Sequence, residues 1–139
     1  MTIAKPGLKF AAAAAAILIC AGGAEAQAQP AAPPRPPLMQ KDLLAAPGKE
    51  VVMSTVEYPP GGGSPSHRHD AQVFVYVLEG HVKMQVKGGP LLTLGPGETF
   101  YESPTDIHVV SANASTTEPA KILAILIKDK GKPVTTPAQ

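Results

Sequence analysis

Tryptophan is absent from this chain of 139 residues, and aromatic side chains make up only 4 % of it. A stacking platform for nucleic-acid bases, or an aromatic wall for sugars, is hard to build from so few rings. Charge of one sign is missing too: 12 Lys and Arg face 11 Asp and Glu. No excess remains to draw in nucleic acid or an anionic membrane. Cysteine occurs once, at Cys20, which excludes an internal disulfide framework and a Cys-rich zinc module. A blue-copper site needs a thiolate, so it is excluded as well once Cys20 leaves with a cleaved segment. Also lacking is a helical period sustained for three turns anywhere between about residues 43 and 127. Proline (16) and glycine (13) are plentiful, and they mark many turns between short elements.

The N-terminal end reads as an export signal spanning residues 1–28. Lys5 and Lys9 give a positive start, residues 10–20 are an uninterrupted apolar run, and Ala24-Glu25-Ala26 and Ala26-Gln27-Ala28 are overlapping A-x-A cleavage sites. The run is shorter than the roughly 20 apolar residues a bilayer-spanning helix needs. Cleavage after Ala28 takes the 12 basic and 11 acidic groups to ten of each. The expected location is the bacterial periplasm or the medium, with no membrane span in the mature chain. Residues 29–41, opening QPAAPPRPP, form a proline-rich linker that favours extended polyproline II. The folded domain is expected over 42–130, followed by a flexible polar tail over 131–139. Asn113-Ala114-Ser115 matches a glycosylation sequon, a chance match behind a signal of bacterial character.

Runs of four to eight residues rich in Val, Ile, Leu and Tyr recur between turn signals. They include EVVMSTVEY from Glu50, QVFVYVLE from Gln72 and HVKMQVK from His81, the last alternating apolar and polar residues. Gly88-Gly89 reads as a hairpin turn. About seven such strands predict an all-β, antiparallel sandwich or barrel. Phe74, Tyr76 and Leu78 alternate with Val73, Val75 and Val77, so they face outward, on the surface or at the seam of a homodimer.

His67-Arg68-His69 is the most informative tripeptide. Residues two apart on a strand share a face with Cβ atoms about 6–7 Å apart, so two imidazoles can hold one metal ion. His108 lies at the edge of a later strand that a small barrel can bring to the same point. His81 follows a tight turn on a face shared with Lys83 and reads as solvated. Glu102 and Tyr101, near the end of the strand before His108, are acid–base candidates.

Gly61, His67 and His69, followed by Tyr76-Val77-Leu78-Glu79-Gly80, resemble the first motif of the cupins. Pro96-Gly97-Glu98, Pro104, His108 and Asn113 resemble the second. The resemblance implies a double-stranded β-helix, or jelly-roll, barrel. It also implies one divalent metal held by His67, His69 and His108. The sequence departs from the pattern in three places. Val73 stands where the family's Glu ligand usually stands; the segment from Pro104 to His108 is one residue short; and Asn113 comes one residue late. A bulge that turned Gln72 inward would make it a fourth ligand. Fe, Mn, Ni, Cu and Zn all accept imidazole, so the ion stays open.

The expected function is that of an exported single-domain cupin that binds a metal and a small organic molecule. The resemblance favours an O2-dependent oxidoreductase resembling a dioxygenase. The alternatives are a non-catalytic metal- or ligand-sensing module and a metal-dependent isomerase.

Overall fold

A computed structural model describes residues 35–138. The expected signal over 1–28 and the head of the proline-rich stretch lie outside the described residues. Every regular element among the described residues is a strand: β1 (Met39–Asp42), β2 (Lys49–Tyr58), β3 (Gly63–Ser64), β4 (His67–Arg68), β5 (Ala71–Glu79), β6 (Val82–Val86), β7 (Leu92–Leu94), β8 (Thr99–Glu102), β9 (His108–Asn113), β10 (Ala120–Asp129) and β11 (Thr136–Pro137). No helix among them is long and apolar enough to cross a membrane.

The strands form two antiparallel sheets. One runs β1-β2-β10-β5-β8, the other β11-β4-β9-β6-β7, with β3 also on β9. This is the jelly-roll arrangement expected, and its core is set by period-2 alternation. Along β5, Ala71, Val73, Val75 and Val77 are buried while Gln72, Phe74, Tyr76 and Leu78 are exposed. Val77, Val82 and Met84, at 0 % exposure, and Leu126, at 1 %, fill the middle. Between β5 and β6 the chain turns at Gly80, whose φ is +68° and whose added Cβ would lie 2.4 Å from the Pro119 carbonyl oxygen. Only glycine fits there.

Two boundaries differ from expectation. Met39 to Lys41, assigned to the linker, belong to β1 and pair with β2. Residues 131–138, expected as part of a loose tail, return to the barrel, where Thr136 and Pro137 pair with Arg68 and His67 of β4. An ion pair supports this return. Lys128, 3 % exposed, bonds Glu50 and also donates to the Lys132 carbonyl oxygen at 2.6 Å. With Gln40 at 2.7 Å and the Gly131 amide at 3.2 Å, these donors satisfy the buried Glu50 carboxylate.

Candidate metal centre

The three predicted histidine ligands converge, although they come from separate segments. His67 on β4 pairs directly with His108 on β9. His69 follows β4 at once, and Asp70, with φ +48°, turns the chain into β5. One ring nitrogen from each of the three lies within 4.8 Å of the others.

A shift in the β6–β9 register explains why His108 points in. Gln85 pairs with Val110 but Val86 pairs with His108, so Val109 is an extra residue in β9. The bulge resets the alternation, and His108, Ser111 and Asn113 are all buried on the inner side. It also absorbs the residue by which Asn113 comes late. Asn113 donates to the carbonyl oxygens of Tyr58, Pro59 and Glu118 at 3.2, 3.1 and 2.8 Å. Its side chain ties loops together and is not available to carry a glycan.

Hydrogen bonds fix the imidazole tautomers. His67 Nδ1 lies 2.8 Å from the Pro65 carbonyl oxygen, and His69 Nδ1 2.7 Å from that of Val134. A carbonyl only accepts, so each Nδ1 carries the proton and each Nε2 presents a lone pair. Those two Nε2 atoms stand 3.2 Å apart. A proton could bridge them only if one ring became cationic. Burial, reinforced by His69 and His108, holds the His67 pKa below its ordinary value despite the Pro65 contact. Two metal–nitrogen bonds of about 2.05 Å meeting near 100° put their nitrogens about 3.1 Å apart. The pair therefore suits a cation better than a shared proton.

His108 makes the same point. It is 3 % exposed, and neither ring nitrogen makes an aligned hydrogen bond, although Glu102 Oε1 stands 3.2 Å from Nδ1. Leaving a buried polar atom unpaired costs about 1–3 kcal/mol, which a ligated metal offsets. Phe100 stacks on the His108 ring at 5.7 Å and holds its plane.

The carboxylate that the sequence lacks at Val73 arrives from the neighbouring strand. Glu102 on β8 pairs directly with Val73 and is 2 % exposed. Its Oε1 lies 3.2 Å from His108 Nδ1, and its Oε2 3.9 Å from His69 Nε2. Gln72 is the correction: it is exposed on the outer face, because β5 keeps its alternation there. The bulge in β5 falls at the far end instead, where Lys121 pairs with Glu79 and Ile122 with Val77.

The histidines and Glu102 line a cavity of about 480 Å³. Val56, Val73, Val75, Ile122 and Ala124 give it an apolar wall. Tyr58, which sequence reasoning missed, adds a hydroxyl 2.6 Å from Ser111 Oγ. Burial pushes the Tyr58 pKa up, so the phenol stays protonated and can donate to a ligand. Thr135 and Pro137, from the returning C-terminal segment, complete the wall. His81 is exposed and takes no part. Tyr101 is outside as well, 49 % exposed and 5.3 Å from Phe74, so it is no acid–base group for this cavity.

Residues 54–126 match the cupin domain family. No curated protein matches the chain. Among solved structures, an uncharacterized conserved protein with a double-stranded β-helix domain from Klebsiella pneumoniae is 19 % identical, with TM-score 0.58 over 76 % of this chain and 83 % of that one. The DMSP lyase DddQ from Ruegeria pomeroyi is 20 % identical, with TM-score 0.56 over 63 % of this chain and 43 % of that one. A recombinant oxalate oxidase in complex with glycolate is 24 % identical, with TM-score 0.52 over 63 % of this chain and 45 % of that one. The chain spans less than half the length of the lyase and the oxidase, and at these identities the likeness is one of fold.

Proposed function

The chain belongs to the cupin family, and from that premise we propose that it is an exported metalloprotein that acts on a small organic molecule in the cavity beside His67, His69 and His108. The observation that carries this reading is the pair of proton-free Nε2 atoms 3.2 Å apart beside a buried His108 whose Nε2 has no hydrogen-bond partner. A divalent metal bound there supplies a Lewis-acid centre, or a redox centre if it is iron, manganese or copper, with positions open to a ligand. The valines keep water from the ligand, Tyr58 donates a hydrogen bond to its polar end, and Glu102 sets the charge beside it. An O2-dependent oxidation is the leading reaction class, by analogy with the family. The DMSP lyases and the oxalate oxidase of similar fold act on small molecules by name.

Purification without chelators followed by metal analysis tests the first step, with about one ion per chain expected. O2 uptake by the iron-, manganese- and copper-loaded protein with phenolic or diketone substrates tests the second. Silence with every metal favours the second reading, a binding or sensing module. What favours it is the lining, which among the described residues offers a single carboxylate, Glu102, and no Lys or Arg to act on a substrate. An isomerase would turn over without consuming O2. In the same proposal, Phe74 (42 % exposed), Tyr76 (44 %) and Leu78 (37 %) form the seam of a homodimer, and a monomeric mass in light scattering refutes that part. Recovery of the protein from the periplasm or medium, starting at Gln27 or Gln29, tests export.

A further inference from the structure

The cavity has a charge pattern as specific as its shape. No Lys or Arg is among the described residues that line it. Arg68, between the two histidines, pairs with Asp70 at 3.3 Å. The buried Lys128 is taken up by Glu50 and the Lys132 carbonyl oxygen. The one charged side chain in the wall is the buried Glu102. If the metal of the proposed function is in place, a dication and this carboxylate leave one positive charge for a ligand to balance.

We infer that the cavity selects a ligand with a single metal-chelating head of at most one negative charge and an apolar body, and that Glu102 excludes dianions. The inference rests on the metal reading above. A monoanion bound to the ion brings the site to neutrality. Apart from neutral hydroxyls such as those of Ser64, Ser66 and Thr135, the second carboxylate of a dianion would meet two kinds of surface, neither of them cationic. One is the apolar wall of Val56, Ile122 and Ala124, which offers no compensating charge. The other is Glu102, which repels it. The Tyr58 and Ser111 hydroxyls suit a neutral polar group on the body, such as a carbonyl or hydroxyl. Two like charges about 5 Å apart at an effective dielectric of about 20 weaken binding by roughly 250-fold.

The test uses two probes with the same 2-hydroxy-acid head and the same four-carbon chain. 2-Hydroxybutyrate ends in a methyl group and malate in a second carboxylate. The full-length chain is loaded with zinc, which is redox-silent, and calorimetry first measures zinc binding and then each probe. The expected result is tighter binding of 2-hydroxybutyrate by at least about tenfold, with E102Q lowering that preference by at least about threefold and the apolar wall keeping the remainder. Malate binding as tightly as 2-hydroxybutyrate to the wild-type chain overturns the inference, and that arm stands even if E102Q fails to fold. A folded E102Q that keeps the full preference removes Glu102 as its cause. Zinc bound but neither probe bound overturns the ligand class alone. No zinc bound overturns the metal reading, and this inference with it.

Discussion

Replacing His67 with Ala separates a metal centre from a merely structural histidine cluster. In the metal-free protein the change loses the Nδ1–H bond to the Pro65 carbonyl oxygen, an interaction of about 1 kcal/mol. It also removes one of two lone pairs facing each other at 3.2 Å. These effects oppose one another, so stability in chelator should stay within about 1 kcal/mol of wild type. Metal changes the outcome. At a free concentration of about 100 times Kd, a bound ion stabilises the native state by about 2.7 kcal/mol. For a domain this small, about 4–8 °C per kcal/mol makes that a rise in Tm of about 11–22 °C. Even a partner outside the ligand sphere typically contributes about 10–100-fold to metal affinity, so loss of a ligand costs at least as much. At the same metal concentration His67→Ala should then retain no more than about 0.4–1.4 kcal/mol, a rise of roughly 2–11 °C. Thermal melts of both proteins in chelator and in zinc check this. A His67→Ala protein that keeps the whole metal-dependent rise would refute the reasoning, because the lone-pair geometry would then have no cation to serve.

Other outcomes follow from the same contacts. Gln72→Ala, Gln72→Glu and His81→Ala should each leave metal content unchanged, since both residues lie exposed outside the cavity; elemental analysis checks this. Truncation after Lys132 removes the Val134 carbonyl that holds His69 Nδ1–H, and should weaken metal binding about 10–100-fold in a competitive chelator titration. The Glu50 pKa is held at about 2, against 4.5 normally, chiefly by the Lys128 hydrogen bond and then by Gln40. The unfolded chain therefore binds more protons between those values, so this contribution to stability is complete above about pH 4.5 and is lost as pH falls towards 2. Glu50→Gln should lower stability at neutral pH, because Lys128 loses its partner, and should flatten the acid decline. Urea midpoints at pH 3 and pH 6 measure both effects.

The parts of the molecule legible in the sequence are those set by local geometry. Alternation along β5 separates Val73, Val75 and Val77 from Gln72, Phe74 and Tyr76 without knowledge of any partner strand. The H-x-H spacing likewise declares two imidazoles for one point, because a strand repeats its face every second residue. The tail, Tyr58 and the role of Glu102 are harder to read, and for one reason: each depends on a pairing that sequence distance hides. Thr136 and Pro137 read as polar tail until β4 is there to receive them. Tyr58 reads as the last residue of an apolar run until Ser111 comes within 2.6 Å. Glu102 is the sharpest case, because alternation within β8 shows only that it shares a face with Phe100. What brings it to the histidines is the register that pairs it with Val73, and that register is set by how β5 and β8 meet across the sheet. A carboxylate opposite Val73 reaches the same space as one attached to Val73 itself, because directly paired residues have Cβ atoms only about 5 Å apart on one face. The valine and the glutamate thus act as a pair: the small side chain on β5 leaves the room into which the long one on β8 extends.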